Sequence, residues 1–126
     1  MLFRSLPTLT GQCAAAIAAP PTATDNCAGA LIATTTDPLT YDAQGTFTLR
    51  WSYTDTQGNT TTQNQTVIVL DSIPPAPDLA TLPTLTGQCT VTIDTPPTAT
   101  DSCAGALTAT TTDPLTYDTQ GTFTLH

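Results

Sequence analysis

The sequence predicts an all-β protein, an antiparallel β-sandwich present in two tandem copies. Three observations support this fold class: a threonine-rich composition, a strand pattern of period two and a repeat with an offset of 76 residues. The 126 residues include 32 threonines but no glutamate and no lysine. Threonine favours strands, whereas long helices and coiled coils are rich in glutamate and lysine. The composition therefore favours β structure and argues against a long helix.

The clearest strand lies near the middle of the chain. Apolar and polar side chains alternate from Thr46 to Tyr53, which is typical of a strand with one buried and one solvated face. The segment 55–59 has the composition of a turn, and 62–70 is predicted to be the returning strand of a hairpin. Shorter strands are predicted at residues 8–10, 14–18 and 30–36. Turn signals about every 8–12 residues indicate a sandwich.

The domain organisation follows from the repeat. Residues 6–50 recur as 82–126, with 36 of 45 positions identical and no gap. We predict a leader remnant at 1–5, a first module at 6–71, a proline-rich linker at 72–79 and a second module at 80–126. Because the second copy stops at the equivalent of residue 50, we expect that module to be incomplete at its C-terminus. The chain is then a fragment of a longer array, in which 82–126 is less ordered than 6–70 or borrows a strand from a second molecule.

Charge and side-chain chemistry exclude several classes of protein. The net charge is −8, with ten aspartates and only two basic residues, Arg4 and Arg50. Nucleic acids and anionic membranes bind basic surfaces, and no apolar run reaches the length of about 20 residues that spans a bilayer. The only histidine is His126, so no positioned base is apparent for nucleophilic catalysis. We therefore expect no enzyme activity, no cofactor, no nucleic-acid partner and no membrane span.

The four cysteines are predicted to form one disulfide bridge per copy. They lie at the same interval in both copies, which favours the pairs Cys13–Cys27 and Cys89–Cys103. Free thiols and zinc are the alternatives; zinc sites use more closely spaced cysteines and usually histidine. Disulfide bridges persist in oxidising compartments, so the chain is predicted to be secreted or displayed at the cell surface.

Three segments of the first copy resemble a known module. Residues 23–27 (Ala-Thr-Asp-Asn-Cys), 45–60 and 66–69 (Thr-Val-Ile-Val) are similar to the hyalin repeat, HYR, and to related bacterial immunoglobulin-like modules of large secreted surface proteins. The resemblance implies a seven-stranded immunoglobulin-like sandwich that serves as a spacer or adhesive unit without catalytic residues. Hyalin repeats often carry a further cysteine near the position of Gln63, and this sequence has none.

Individual residues suggest two further kinds of site, for calcium and for glycans. Asp25, Asp55 and Asp71 are calcium candidates, because hard cations take oxygen ligands; the alternative is that these aspartates cap turns. Tyr41 and Tyr117, one per copy, are glycan-binding candidates. Trp51 is expected in the core, because it is in phase with the buried face of its strand.

The leading functional hypothesis is a non-catalytic structural or adhesive spacer in the stalk of an exported bacterial cell-surface protein. Near-identical copies favour it, because a spacer needs uniform units. Its partners would be neighbouring immunoglobulin-like modules of the same chain, with an extracellular glycan or protein as a further partner. The alternative is a carbohydrate-binding accessory module of a secreted hydrolase.

Overall fold

A computed structural model describes residues 4–126, which form twelve strands and no helix. The chain divides into two compact units: the first ends at Ser72, and the second comprises Ile73–His126. The all-β prediction is confirmed. The predicted leader remnant at 1–5 falls largely outside the described residues.

The first unit contains seven strands among its described residues. They are β1 (Leu9–Gly11), β2 (Ala15–Ala16), β3 (Thr22–Asp25), β4 (Gly29–Ile32), β5 (Thr40–Tyr41), β6 (Gly45–Thr54) and β7 (Thr60–Val69). They pair as a three-stranded sheet in the order β1-β7-β6 and as two antiparallel pairs, β2-β5 and β3-β4. The backbones of Thr34 and Ser52 form two hydrogen bonds, each N–H donating to the other residue's carbonyl. These bonds connect the segment after β4 to β6. The arrangement is that of an immunoglobulin-like all-β fold.

The predicted hairpin is the centre of the first unit. Strands β6 and β7 pair in antiparallel register over ten residues each, from Gly45 opposite Val69 to Thr54 opposite Thr60. The alternation predicted for β6 is confirmed, because Leu49, Trp51 and Tyr53 are all at most 1% exposed. From β7, Val67 and Val69 complete the core beside them.

The two buried aromatic side chains of β6 keep their polar atoms paired. The Trp51 Nε1–H donates to Gln65 Oε1 at 3.0 Å, and the Tyr53 hydroxyl donates to Gln63 Oε1 at 2.9 Å. Both glutamines lie on β7. A buried polar group without a partner is costly, so these bonds allow large aromatic side chains into a core otherwise built from small residues.

Strand β1 adds a parallel edge to the hairpin. Leu9, Thr10 and Gly11 pair with Val67, Ile68 and Val69 of β7. At Gly11 the chain turns sharply, and a Cβ atom there would lie 1.9 Å from the carbonyl oxygen of Ala14. Glycine is therefore required where β1 leads into β2.

The second unit contains five strands. They are β8 (Ala76–Pro77), β9 (Val91–Thr92), β10 (Thr98–Asp101), β11 (Gly105–Thr108) and β12 (Thr116–Tyr117), and they pair in the orders β11-β10-β8 and β12-β9. Strands β9 to β12 recur at the positions of β2 to β5, 76 residues further along the chain.

The segment predicted as a linker takes part in the sheet of the second unit. Ala76 and Pro77 pair with β10, and the carboxylate of Asp78 accepts hydrogen bonds from the hydroxyls of Thr98 and Thr100. Proline is tolerated there because β8 is an edge strand. These two hydrogen bonds, first from Thr98 and then from Thr100, hold the pKa of Asp78 below its usual value.

Two segments of the second unit differ in structure from their counterparts in the first. Residues 85–87 and 121–126, the counterparts of β1 and of the first half of β6, are not in strands. Leu125 is 38% exposed, whereas its counterpart Leu49 is fully buried. No helix in the described part of the chain has the length and apolar character needed to cross a membrane.

Candidate functional site

A shallow pocket of about 550 Å³ opens beside Tyr41 in the first unit. The rings of Tyr41 and Phe47 line this pocket, with centroids 4.9 Å apart and planes tilted by 32°. Strand β5 positions the tyrosine, and β6 positions the phenylalanine. Polar residues line the pocket together with the two rings; they are Asp37, Thr40, Asp42, Thr46 and Thr48. Aromatic rings bordered by carboxylates and hydroxyls are groups that can bind a sugar.

The tyrosine hydroxyl of this pocket stays protonated at neutral pH. Partial burial raises the pKa of Tyr41 above its usual value, and the negative charge of Asp37 raises it further. Asp37 is itself held in place, because its Oδ2 accepts the backbone N–H of Arg50 at 2.8 Å. Sequence analysis selected Tyr41 but missed Asp37, which the Asp-Pro turn signal at residues 37–38 could have indicated.

The same ring pair recurs in the second unit. The Tyr117 and Phe123 centroids are 4.8 Å apart with an interplanar angle of 30°. Phe123 is 49% exposed, whereas Phe47 is partly buried against the core. Glycan binding by Tyr41 and Tyr117 stays a prediction.

Two of the three calcium candidates hold turns. Asp25 Oδ1 accepts the backbone N–H groups of Cys27 and Ala28 at the tip of the β3–β4 hairpin. Those bonds, the one from Ala28 first, lower the pKa of Asp25, while burial and the charge of Asp55 act in the opposite direction. The equivalent Asp101 makes the same two bonds in the second unit.

Asp55 organises the turn between β6 and β7. Its Oδ2 accepts the side-chain amide of Asn59, and its Oδ1 accepts the backbone N–H groups of Gln57 and Asn59. The side-chain bond from Asn59 is the main reason that the pKa of Asp55 is lowered. Asp25 and Asp55 thus make the turn bonds that the alternative interpretation expects, and calcium binding stays a prediction.

Asp71, the third calcium candidate, lies just beyond β7 in a cluster of amides. Its backbone N–H donates to Gln44 Oε1 at 2.7 Å, and Gln44 Nε2 donates to the carbonyl of Gln12. Gln12 Oε1 in turn accepts the backbone N–H of Ser72. These bonds fasten the end of β7 to the loops that precede β2 and β6.

The cysteines differ from the predicted pairing. Cys13 and Cys103 are disulfide-bonded, whereas Cys27 and Cys89 carry free, exposed thiols. The predicted bridges Cys13–Cys27 and Cys89–Cys103 are therefore wrong. A disulfide needs Cα atoms about 5.5 Å apart. Equal spacing in the two copies identifies equivalent cysteines but does not show which sulfur atoms meet. Cys27 lies in the β3–β4 turn, whereas Cys13 follows β1, which belongs to another sheet.

Comparison with known families identifies the class of module. Residues 7–69 match the model of the HYR-like domain with 4 cysteines. The chain belongs to this family, and the resemblance seen in its motifs is confirmed. The matched segment holds two cysteines, Cys13 and Cys27. No curated protein and no solved structure matches the chain.

Membership of this family defines the general nature of the chain. HYR-like domains form a non-catalytic repeat family that occurs in extracellular proteins. The match therefore indicates an extracellular repeat module.

Proposed function

We propose that this chain is a structural spacer in the stalk of an exported bacterial cell-surface protein and has no catalytic activity. The observation that carries the proposal is the near-identity of the two copies, 36 of 45 aligned positions without a gap. A stalk needs units of equal length and stiffness, whereas units that bind different ligands diverge in their exposed side chains.

The core of the first unit supports a mechanical role. Its largest buried side chains belong to one hairpin of two ten-residue strands, β6 and β7. That hairpin is clamped by the parallel pairing of β1 and by the amide cluster around Gln12 and Gln44. The spacer is expected to act in an oxidising compartment, because disulfide bonds persist there.

The spacer role is tested by removing one repeat from the parent protein in the bacterium. Deleting residues 6–81 removes one whole period and keeps the sequence in frame. We expect surface display and adhesion to persist while the distance between the cell surface and the distal end shrinks by one module, measured by immuno-electron microscopy. Loss of adhesion with display intact would show that the repeat itself binds the partner.

The pocket at Tyr41 favours a second candidate function, a carbohydrate-binding accessory module of a secreted hydrolase. A glycan array probed with the purified chain separates the two functions. The spacer function predicts no glycan bound above background. Binding that Tyr41→Ala abolishes, and that Thr62→Ala on the exposed face of β7 leaves unchanged, would establish the carbohydrate-binding function instead.

A further inference from the structure

The pocket beside Tyr41 combines aromatic rings with negative charge. Its lining includes the rings of Tyr41 and Phe47, whose centroids are 4.9 Å apart, together with Asp37 and Asp42. The face of an aromatic ring carries partial negative charge and attracts cations. Two carboxylates in the same pocket act in the same direction. The composition of the pocket therefore favours a ligand that is cationic and can also lie against a ring.

The chain does not neutralise these two carboxylates itself. It has only two basic residues, Arg4 and Arg50, and among the described residues neither Asp37 nor Asp42 takes part in an ion pair. Asp37 Oδ2 accepts the backbone N–H of Arg50, but a carboxylate has about four lone-pair sites. Asp37 thus keeps the capacity to accept hydrogen bonds from a ligand.

The lining of the pocket is held in place by the fold. Tyr41 lies on β5, which pairs with β2, and both Tyr41 and Phe47 pack against the hydrophobic core. The backbone N–H of Asp37 donates to Thr35 Oγ1 at 3.0 Å, and its carboxylate accepts the N–H of Arg50 at 2.8 Å. Groups that are already ordered lose less conformational entropy when a ligand binds.

The second copy repeats the side chains of this pocket. Of the nine residues that line it, eight are identical 76 positions later, and the ninth, Ala43, is replaced by Thr119. The counterpart rings, Tyr117 and Phe123, keep a centroid distance of 4.8 Å. Both copies therefore carry the groups for one class of ligand.

We propose that the pocket lined by Tyr41, Phe47, Asp37 and Asp42 binds an arginine side chain of a partner protein. A guanidinium group is planar, stacks on aromatic faces and donates paired hydrogen bonds to carboxylates. A lysine ammonium is a compact and strongly hydrated charge that lacks this planar face. A neutral sugar would use the rings but leave both carboxylates without a counter-charge. The site goes beyond the spacer role and does not depend on it, because a spacer can carry a docking site for another protein.

The proposal is tested by titrating the ¹⁵N-labelled 126-residue chain with the peptide acetyl-Gly-Arg-Gly-amide at constant ionic strength and recording amide shifts by NMR. We expect saturable shifts that centre on residues 37–48, with a Kd of about 1–30 mM for this single side chain. The matched peptide with citrulline in place of arginine has the same shape without the charge and should bind at least about fivefold more weakly. The lysine peptide should bind at least about twofold more weakly than the arginine peptide.

Three variants of the chain locate the site. Asp42→Asn changes an exposed residue and should weaken binding of the arginine peptide at least about threefold. Asp55→Asn removes the same charge beyond the other end of β6 and should bind within about 1.5-fold of the parent chain. Tyr41→Leu keeps an apolar side chain against the core and should weaken binding at least about threefold. The amide signals outside the pocket show whether each variant remains folded.

Four results would overturn the proposal. They are the absence of saturable shifts up to about 100 mM arginine peptide, equal binding of the citrulline peptide, equal binding of the lysine peptide, and unchanged binding by the Asp42→Asn chain. The neutral disaccharide cellobiose is titrated in parallel. Saturable shifts at 37–48 with cellobiose but not with the arginine peptide would assign the pocket to a glycan instead.

Discussion

Replacing Leu49 by alanine should cost the first unit about 3–4 kcal/mol of unfolding free energy. The same change at Leu125 should cost the second unit at most about 1.5 kcal/mol. The two leucines occupy one position of the repeat, so propensity and sequence neighbours are nearly matched. Only their surroundings differ: Leu49 is 0% exposed on β6, which pairs with β7, and Leu125 is 38% exposed.

The magnitudes follow from the burial of the two side chains. Leucine to alanine removes about three methylene equivalents, worth about 2.4 kcal/mol when fully buried. At Leu49 a cavity in the closed core adds about 1 kcal/mol or more. At Leu125 roughly six-tenths of the transfer energy is available, about 1.5 kcal/mol, and water fills the gap without a cavity penalty.

Trp51 provides the assay for the first unit. It is the only tryptophan in the chain and is 1% exposed, so its fluorescence during urea unfolding reports the first unit alone. A unit of about 70 residues has a stability of about 4–10 kcal/mol, so the variant unit remains measurable. For Leu125→Ala, hydrogen exchange at the β10 and β11 amides reports the second unit. A loss below about 1 kcal/mol at Leu49, or equal losses at the two positions, would refute the role assigned to β7.

Three further predictions concern the first unit and the thiols. The pKa of Asp55 is lowered in the folded state, so the stability that its charge contributes is present above about pH 4 and lost as pH falls through the lowered pKa. Asp55→Asn should therefore reduce the fall in the free energy of unfolding at acidic pH. An unchanged dependence on pH would contradict the role of Asp55 in this turn. Gln65→Leu removes the acceptor of the Trp51 Nε1–H and should cost about 1–2 kcal/mol in urea unfolding; an unchanged midpoint would mean that the bond contributes nothing. Alkylation followed by mass spectrometry should label Cys27 and Cys89 without prior reduction; resistance of either thiol would contradict the free state assigned to it.

The part of the fold that the sequence predicts best is the hairpin. Phe47 to Tyr53 alternate with polar residues, and 55–59 is rich in turn formers, so both the strands and their connection could be placed. The structure confirms this and adds the glutamine partners of the buried aromatics. Local pattern was sufficient there because each strand buries one face along its length.

Other features depend on contacts distant in sequence. Strand β3 (Thr22–Asp25) was missed because threonine and alanine give almost no hydrophobic alternation. The parallel pairing of β1 with β7 joins residues 58 positions apart, which no local signal specifies. The states of the cysteines were mispredicted for the same reason, since equal spacing says nothing about which sulfur atoms meet.

The candidate binding residues were predictable only in part. Tyr41 was selected because exposed aromatic residues are scarce in this chain, yet the pocket also depends on Asp37 and Phe47, which arrive from other segments. The turn role of Asp25 and Asp55 was foreseeable, because aspartate accepts hydrogen bonds from backbone N–H groups a few residues further on.

The dependence of the module on β7 is tested most directly by native-state hydrogen exchange of the whole 126-residue chain. The amides of Val67 to Val69 and of their partners in β6 should exchange only by global unfolding of the first unit. The amides of 121–126, which have the same sequence as 45–50 except at the last position, should exchange at least about a hundredfold faster. Equal protection of 45–50 and 121–126 in the isolated monomer would contradict this account.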